Sequence, residues 1–157
     1  MLISDIRAMP GGGKRPRFRI YIDEEFAFCL YKSELPRYGI ELDHTLKAAT
    51  YQEIVGELLP KRAKARALHL LSGRRHAEGE LRSKLLSGGY PRPVVEEAIE
   101  YVRSYGYLDD AAFARDYIRR HHKKRSKAHI LYDLAAKGVE RGLAAEQYVQ
   151  ALAEELV

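Results

Sequence analysis

Tryptophan is absent from the 157 residues, cysteine occurs once and methionine twice. The lone Cys29 cannot form an internal disulfide, and without a Cys cluster there is no thiolate zinc site. It is expected to be a small buried residue rather than a nucleophile. No apolar run approaches the roughly 20 residues needed to cross a bilayer. The opening "MLISDIRAMP" lacks the long apolar core of a signal peptide. A cytoplasmic protein without membrane association is expected. There is also no Gly-rich Lys-Ser/Thr phosphate loop, and Ser72, Ser83 and Ser126 are not in a nucleophile-elbow context.

The hydrophobic fraction of 46% with 31% charged residues fits a folded chain. The net charge of +5 points to an anionic partner, and its distribution says more than its total. Residues 1–60 carry 8 Lys/Arg against 9 Asp/Glu, whereas residues 61–157 carry 19 against 13. The window 113–127 alone holds seven basic residues and one acid.

Residues 1–60 read as a β-rich extension with short helices. "FRIYIDEEFAFCL" places Phe18, Ile20 and Ile22 before Asp23-Glu24-Glu25, and Phe26, Phe28 and Leu30 after it. That is a hairpin pattern without the usual turn glycine. "LISDIRAM" predicts a third strand, joined through the basic "PGGGKRPR". Such a meander packs one face and should lean on the helix that follows.

From about residue 50 the period becomes helical. Ala67, Leu70 and Leu71 mark one helix; Ala77, Leu81 and Leu85 a second; Val95, Ala98, Ile99 and Val102 a third. Gly88-Gly89 closes the second, and Pro93 suits the first turn of the third. "LLSGGYPRPVVEEAIEYV" then aligns with "LAAKGVERGLAAEQYVQA" at an offset of 49 residues, setting Leu85 on Leu134 and Tyr90 on Val139. Two three-helix repeats are expected, 61–107 and 108–157, forming an elongated helical array in a mainly α chain.

In "YGYLDDAAFARDYIRRHHKKR" the adjacent Asp109 and Asp110 invite comparison with the metal-binding carboxylates of polymerases. That reading needs a tight hairpin between strands and another carboxylate to share the metal, whereas both flanks are helical in period and the chain is short for a polymerase. The better reading is a helix start. Gly106 ends one helix, Asp109 is the N-cap of the next, and Asp110 at N1 sits in the positive end of its dipole. Leu108 and Phe113 have the spacing of a hydrophobic staple. The helix so begun turns Phe113, Ala114, Tyr117, Ile118 and His121 to one sector, and Arg115, Arg119, Arg120, His122 and Lys123 to the other.

With Lys124, Arg125 and Lys127 this basic sector is expected to bind phosphate or an acidic surface. Arg74 and Arg75 are the comparable candidates of the first repeat. Lys61, Arg62, Lys64 and Arg66 form a smaller patch. His76 and Glu80 stand four apart but lack a third ligand, and His121, His122 and His129 form no metal constellation. Tyr101, Tyr105, Tyr107, Tyr117 and Tyr148 are assigned to packing rather than to base stacking. No enzyme activity, metal or cofactor is expected.

At "GYLDDAAFA", Gly106 to Ala114, the sequence strongly resembles the RecX family, modulators of the RecA recombinase. Members carry Gly-Tyr-apolar-Asp-Asp-x-x-Phe-Ala at the entry to their second helical repeat. Upstream, "RRHAEGELRSKL" matches at Arg74, Arg75, Glu80, Leu81 and Leu85, with Ala77 replacing a frequent serine. Downstream, "HILYDLAAKGV" resembles the family's Ile-x-x-Glu-Leu-x-x-Lys-Gly-Ile, with Asp133 replacing Glu and Ser126 replacing a frequent glycine. The segment "FRIYIDEEFAFCLYKSELPRYGI" looks like an extension found in a subset of members. Members commonly have three repeats, and two are expected here. The resemblance implies a monomeric, non-enzymatic regulator. It would bind the RecA filament on single-stranded DNA and restrain its assembly, ATPase, recombinase and co-protease activities. A free-standing DNA-binding helical module without RecA specificity is the alternative.

Overall fold

The computed structural model describes residues 1–11 and 15–156, so the "PGGGKRPR" connection lies partly outside the described residues, at Gly12, Gly13 and Lys14. The elements are β1 (Ile3–Ala8), β2 (Arg17–Ile22), β3 (Glu25–Tyr31), α1 (Glu34–Arg37) and α2 (Ala48–Glu53). A π-helical turn (Ile54–Leu58) then leads into α3 (Leu59–Gly73), α4 (Glu78–Ser87) and α5 (Arg92–Ser104). The last three are α6 (Asp110–His121), α7 (Lys127–Ala136) and α8 (Arg141–Glu155). The chain is thus mainly helical behind a three-stranded antiparallel sheet, as its periodicities require. It falls into two compact units, Met1–Ala63 with Leu85–Glu97, and Lys64–Lys84 with the chain from Ala98 onward.

In the first unit the sheet order is β1-β2-β3. Ile22 pairs with Glu25, leaving Asp23 and Glu24 as a two-residue turn with φ of 49° and 71°. Both are left-handed, the conformation that matches strand twist in a tight hairpin and usually calls for Asn or Gly. Two hydrogen bonds hold it without glycine: the Leu2 amide donates to Asp23 Oδ1 at 3.0 Å, and the Glu24 amide to Ser4 Oγ at 2.8 Å.

One expectation fails in β3. Tyr21 opposes Phe26 whereas Ile20 opposes Phe28, so Ala27 is an extra residue in the strand. A one-residue bulge reverses side-chain parity. Phe26 consequently leaves the core face and is 43% exposed, edge-on to Tyr21 at 5.9 Å. Ile20, Phe28 and Leu30 are fully buried with Ile3, Ile54 and Leu59.

The sheet leans on more than the next helix, because the α4–α5 turn packs on it as well. Arg17 Nη1 donates to the Gly88 carbonyl at 2.6 Å, and a Cβ at Gly89 would run into the Cys29 thiol. Cys29 is buried as expected, and burial raises its thiol pKa.

The second unit buries Phe113, Ala114, Tyr117 and Ile118 of α6, the sector given by helical period. They meet Ile130, Leu134, Val139, Ala144, Ala151 and Ala77 in one cluster. Asp109 is the α6 N-cap, its carboxylate accepting from the Ala112 amide at 3.0 Å. Leu108 is half-buried and Phe113 buried.

The 49-residue echo is visible in the backbone. Gly89 and Gly138 both have φ of 88°, and in each case the next amide reaches back over the turn. Tyr90 N donates to Leu85 O at 3.4 Å, and Val139 N to Leu134 O at 2.9 Å. These are the left-handed stops of α4 and α7.

Not every tyrosine packs. Tyr117 is buried and Tyr101 and Tyr148 are half-buried, but Tyr105 and Tyr107 are exposed by 64% and 52%. Both stand in the α5–α6 connection, where Gly106 (φ 75°) turns the chain away from the core that helical spacing would have assigned them.

Candidate functional site

The basic candidates are positioned by the turns that follow α3 and α6. Arg74 lies at the bend after α3, where its guanidinium takes Glu80 through two bonds, Nη1–Oε1 at 3.1 Å and Nη2–Oε2 at 2.7 Å. Lys137 Nζ approaches the same carboxylate at 3.3 Å. Burial alone would raise the Glu80 carboxyl, but Arg74 and then Lys137 outweigh it and hold it at about 2. Glu80 is therefore a fixed anion that gathers two cations contributed by different helix ends.

Arg75 continues the cluster, its Nε 3.2 Å from Asp116 Oδ2 on α6. Arg74, Arg75, Arg119, Arg120 and Lys137 line one cleft of about 580 Å³, and among the described residues Asp116 is the only carboxylate in the lining. Phe113 and Tyr117 form its aromatic wall, their rings 6.4 Å apart and inclined by 21°. His121 lies against Tyr117 at 4.3 Å with the rings inclined by 47°, and burial followed by the Arg125 and Arg120 charges lowers its pKa. Five cations over an aromatic wall, four of them held in place by Glu80, Asp116 and Glu154, suit a phosphorylated or carboxylated ligand with a flat group.

The remaining candidates do not all share that cleft. Lys123 and Lys124 are exposed on the turn between α6 and α7. Arg125 donates from Nη1 to Asp133 Oδ2 at 2.9 Å and to the Tyr117 hydroxyl at 2.8 Å, and Tyr117 itself donates to Asp133 at 2.7 Å. Lys127 lies 5.3 Å from the Tyr148 ring centroid. Arg115 donates to Gln147 Oε1 at 3.0 Å, and Arg119 pairs with Glu154. The single stripe read from 100° helical spacing is thus divided between the cleft and the edge facing α8. Of the smaller patch, Arg62 is bound to Glu34 at 2.5 Å.

Lys137 is not among the candidates read from the sequence. It lies 57 residues from Glu80, and only the Lys-Gly pair closing α7 marks it. Asp110 also does more than its sequence position suggests. Its Oδ1 accepts from the Glu78 amide at 2.8 Å, capping α4 from α6. Ala77, the residue before α4, has no side-chain acceptor, and Asp110 supplies one from α6, to the Glu78 amide rather than to the Gly79 or Glu80 amide that a serine at 77 would take. Burial pushes the Asp110 carboxyl above its ordinary range in spite of that amide. Among the described residues no group of three His, Cys, Asp or Glu could hold a metal ion, and no helix is long and apolar enough to cross a membrane.

These features define a helical-repeat protein with a cationic, aromatic-walled cleft. Two family models match it in order: the RecX first three-helix domain over residues 63–101, and the RecX second three-helix domain over 109–147. The chain is 29% identical over 134 residues to the regulatory protein RecX of Clostridium acetobutylicum, covering 85% of this chain and 63% of that protein. To its counterpart in Clostridium perfringens it is 30% identical over 127 residues, covering 81% and 60%. A shorter match, 40% over 84 residues, is found with RecX of Chlorobium limicola, covering 52% and 53%. The crystal structure of a regulatory protein RecX superposes with a TM-score of 0.58 at 25% identity, covering 95% of this chain and 73% of that one. The chain belongs to the RecX family of regulatory proteins. It spans about three fifths of the length of the clostridial relatives.

Proposed function

We propose that this chain is a negative regulator of the RecA recombinase, not an enzyme, that binds the RecA filament on single-stranded DNA. Binding would restrain filament assembly, ATP hydrolysis, recombination and co-protease activity. In this reading 61–107 and 108–157 are the two repeats of a cytoplasmic monomer, and the cleft and the turn after α6 are the contact surface. Arg74, Arg75, Arg119, Arg120, Lys123 and Lys124 meet phosphates or acidic side chains directly. Arg115, Arg125 and Lys127 set the helices that carry them. The observation supporting the reading is the convergence of five cations on one cleft in a chain of this family. A cationic cleft raises encounter with a polyanionic filament and fixes its register on it.

The test is RecA ATPase on single-stranded DNA, titrated with this chain. Dose-dependent inhibition is expected, and inhibition well below one chain per RecA would place the action at filament ends. Binding to naked DNA with a steep salt dependence and an untouched ATPase would instead establish a DNA-binding module without RecA specificity.

A further inference from the structure

We propose that Tyr105 and Tyr107, together with the adjoining face of α3, form a stacking platform for unpaired bases of single-stranded nucleic acid. The two rings are 5.9 Å apart and within 18° of parallel, and Tyr101 backs Tyr105 at 5.1 Å, tilted from it by 44°. Gly106 permits this, since its φ of 75° reverses the chain between two residues that would otherwise diverge. Buried aromatic clusters are ordinary packing, but here the outer two rings keep 64% and 52% of their surface in solvent. They are free to take a third planar group.

A hollow of about 280 Å³ adjoins Tyr107, walled by Leu68, Leu71 and Ser72. It falls just below the roughly 300–1,000 Å³ of ligand pockets, a size suited to one ring rather than to a protein side. The charge that α3 carries has one sign, while Asp109 and Asp110 follow Tyr107 in the chain. Helix α3, "LPKRAKARALHLLSG", has four basic residues and no acid, and Lys64 Nζ lies 5.2 Å from the Tyr101 ring centroid. Lys64 thus stands one or two turns from the hollow on the same face of α3, where the phosphates of a strand inserting a base would run. Aromatic faces beside a cationic track are how proteins hold single strands with little sequence preference. This inference rests on the nucleic-acid side of the proposed function, and names bases where that reading names phosphates and acidic groups.

The test uses the chain alone, without RecA, at low salt. Oligo(dT) and an abasic deoxyribose-phosphate oligomer of equal length are titrated by anisotropy. Tyrosine emission is followed as well, since the chain has no tryptophan to mask it. Oligo(dT) should bind about tenfold or more tighter than the abasic strand and quench the emission. Tyr105→Ala and Tyr107→Ala should each lose most of that preference with unchanged melting, and Tyr105→Phe and Tyr107→Phe should keep it. Equal affinity for the two oligomers, or a preference that survives the alanine changes, would overturn the platform. Self-association that disappears in the alanine variants would give the face to a second copy instead. If no oligomer binds while RecA ATPase is still inhibited, the platform fails and the proposed function stands.

Discussion

Gly79, in the first turn of α4, and Gly138, in the left-handed turn closing α7, meet backbone against backbone. A Cβ on Gly79 would lie 2.8 Å from both the Gly138 Cα and the Lys137 carbonyl oxygen. This approach holds the α7–α8 turn against α4 and carries Lys137 to Glu80. In an open helix, Gly→Ala would stabilise by about 1 kcal/mol. Here the sign should reverse, because backbone cannot yield as a flexible side chain does, and overpacking costs roughly 1–3 kcal/mol. Urea denaturation of Gly79→Ala checks this, with Gly73→Ala, which meets nothing within 4 Å, as the control. A stabilised Gly79→Ala protein would refute the close approach.

The two aspartates of α6 should separate in their effects. Asp109→Ala removes an exposed N-cap and should cost about 0.5–2 kcal/mol. Asp110→Ala leaves the Glu78 amide without its partner in a half-buried setting, at a cost of roughly 1–3 kcal/mol. Asp110→Asn retains an acceptor and should recover most of that loss. Thermal melting of the three variants decides. A metal-dependent activity lost in Asp109→Asn or Asp110→Asn with unaltered melting would restore the catalytic reading of the pair.

Local signals in the sequence carry much of this structure. Asp109 as cap, the buried sector Phe113, Ala114, Tyr117 and Ile118, the stops at Gly89 and Gly138, and the strand order all follow from period, capping and turn chemistry. The misplacements arise where a single residue resets a period or where partners are distant. Ala27 bulges and carries Phe26 to the other face, and Gly106 turns Tyr105 and Tyr107 outward. The cleft is half legible. Arg74, Arg75, Arg119 and Arg120 stand out as charge, but the helical wheel cannot show that Glu80 draws in Lys137. Nor can it show that Arg115 and Arg119 engage Gln147 and Glu154.

Those engagements guide the test of the cleft. Reversing Arg119 also breaks its pair with Glu154, so Arg120→Glu with Lys123→Glu and Lys124→Glu is the cleaner probe. All three side chains are exposed, and each reversal should leave stability within about 0.5 kcal/mol of the parent. Inhibition of RecA ATPase should weaken, and the salt slope should fall by about 1 for each phosphate that no longer meets a cation. Unaltered inhibition in the triple variant would remove this surface from the mechanism.

Acid should destabilise the second unit in two separable steps. His76 is buried, its Nδ1 2.9 Å from the Arg74 carbonyl and its Nε2 3.2 Å from Lys84 Nζ. A carbonyl only accepts and an ammonium only donates, so the neutral ring with its proton on Nδ1 satisfies both. Burial first, and then the Arg74 and Lys84 charges, hold His76 below its usual 6.5 despite the Arg74 carbonyl. As pH falls through 6.5 the unfolded chain binds a proton that the folded chain still refuses. Stability complete above that pH therefore declines below it. Glu80, held at about 2, keeps its contribution until pH falls through 4.5 and loses it towards 2. His121 shifts in the same direction as His76, so the readout is the difference between variants. The melting temperature of His76→Gln should fall less between pH 7 and pH 5 than that of the parent. Glu80→Gln should melt lower at pH 7 and lose the further decline below pH 4.5. Parallel curves for parent and His76→Gln would mean that His76 takes up its proton as readily in the folded protein as in the unfolded chain.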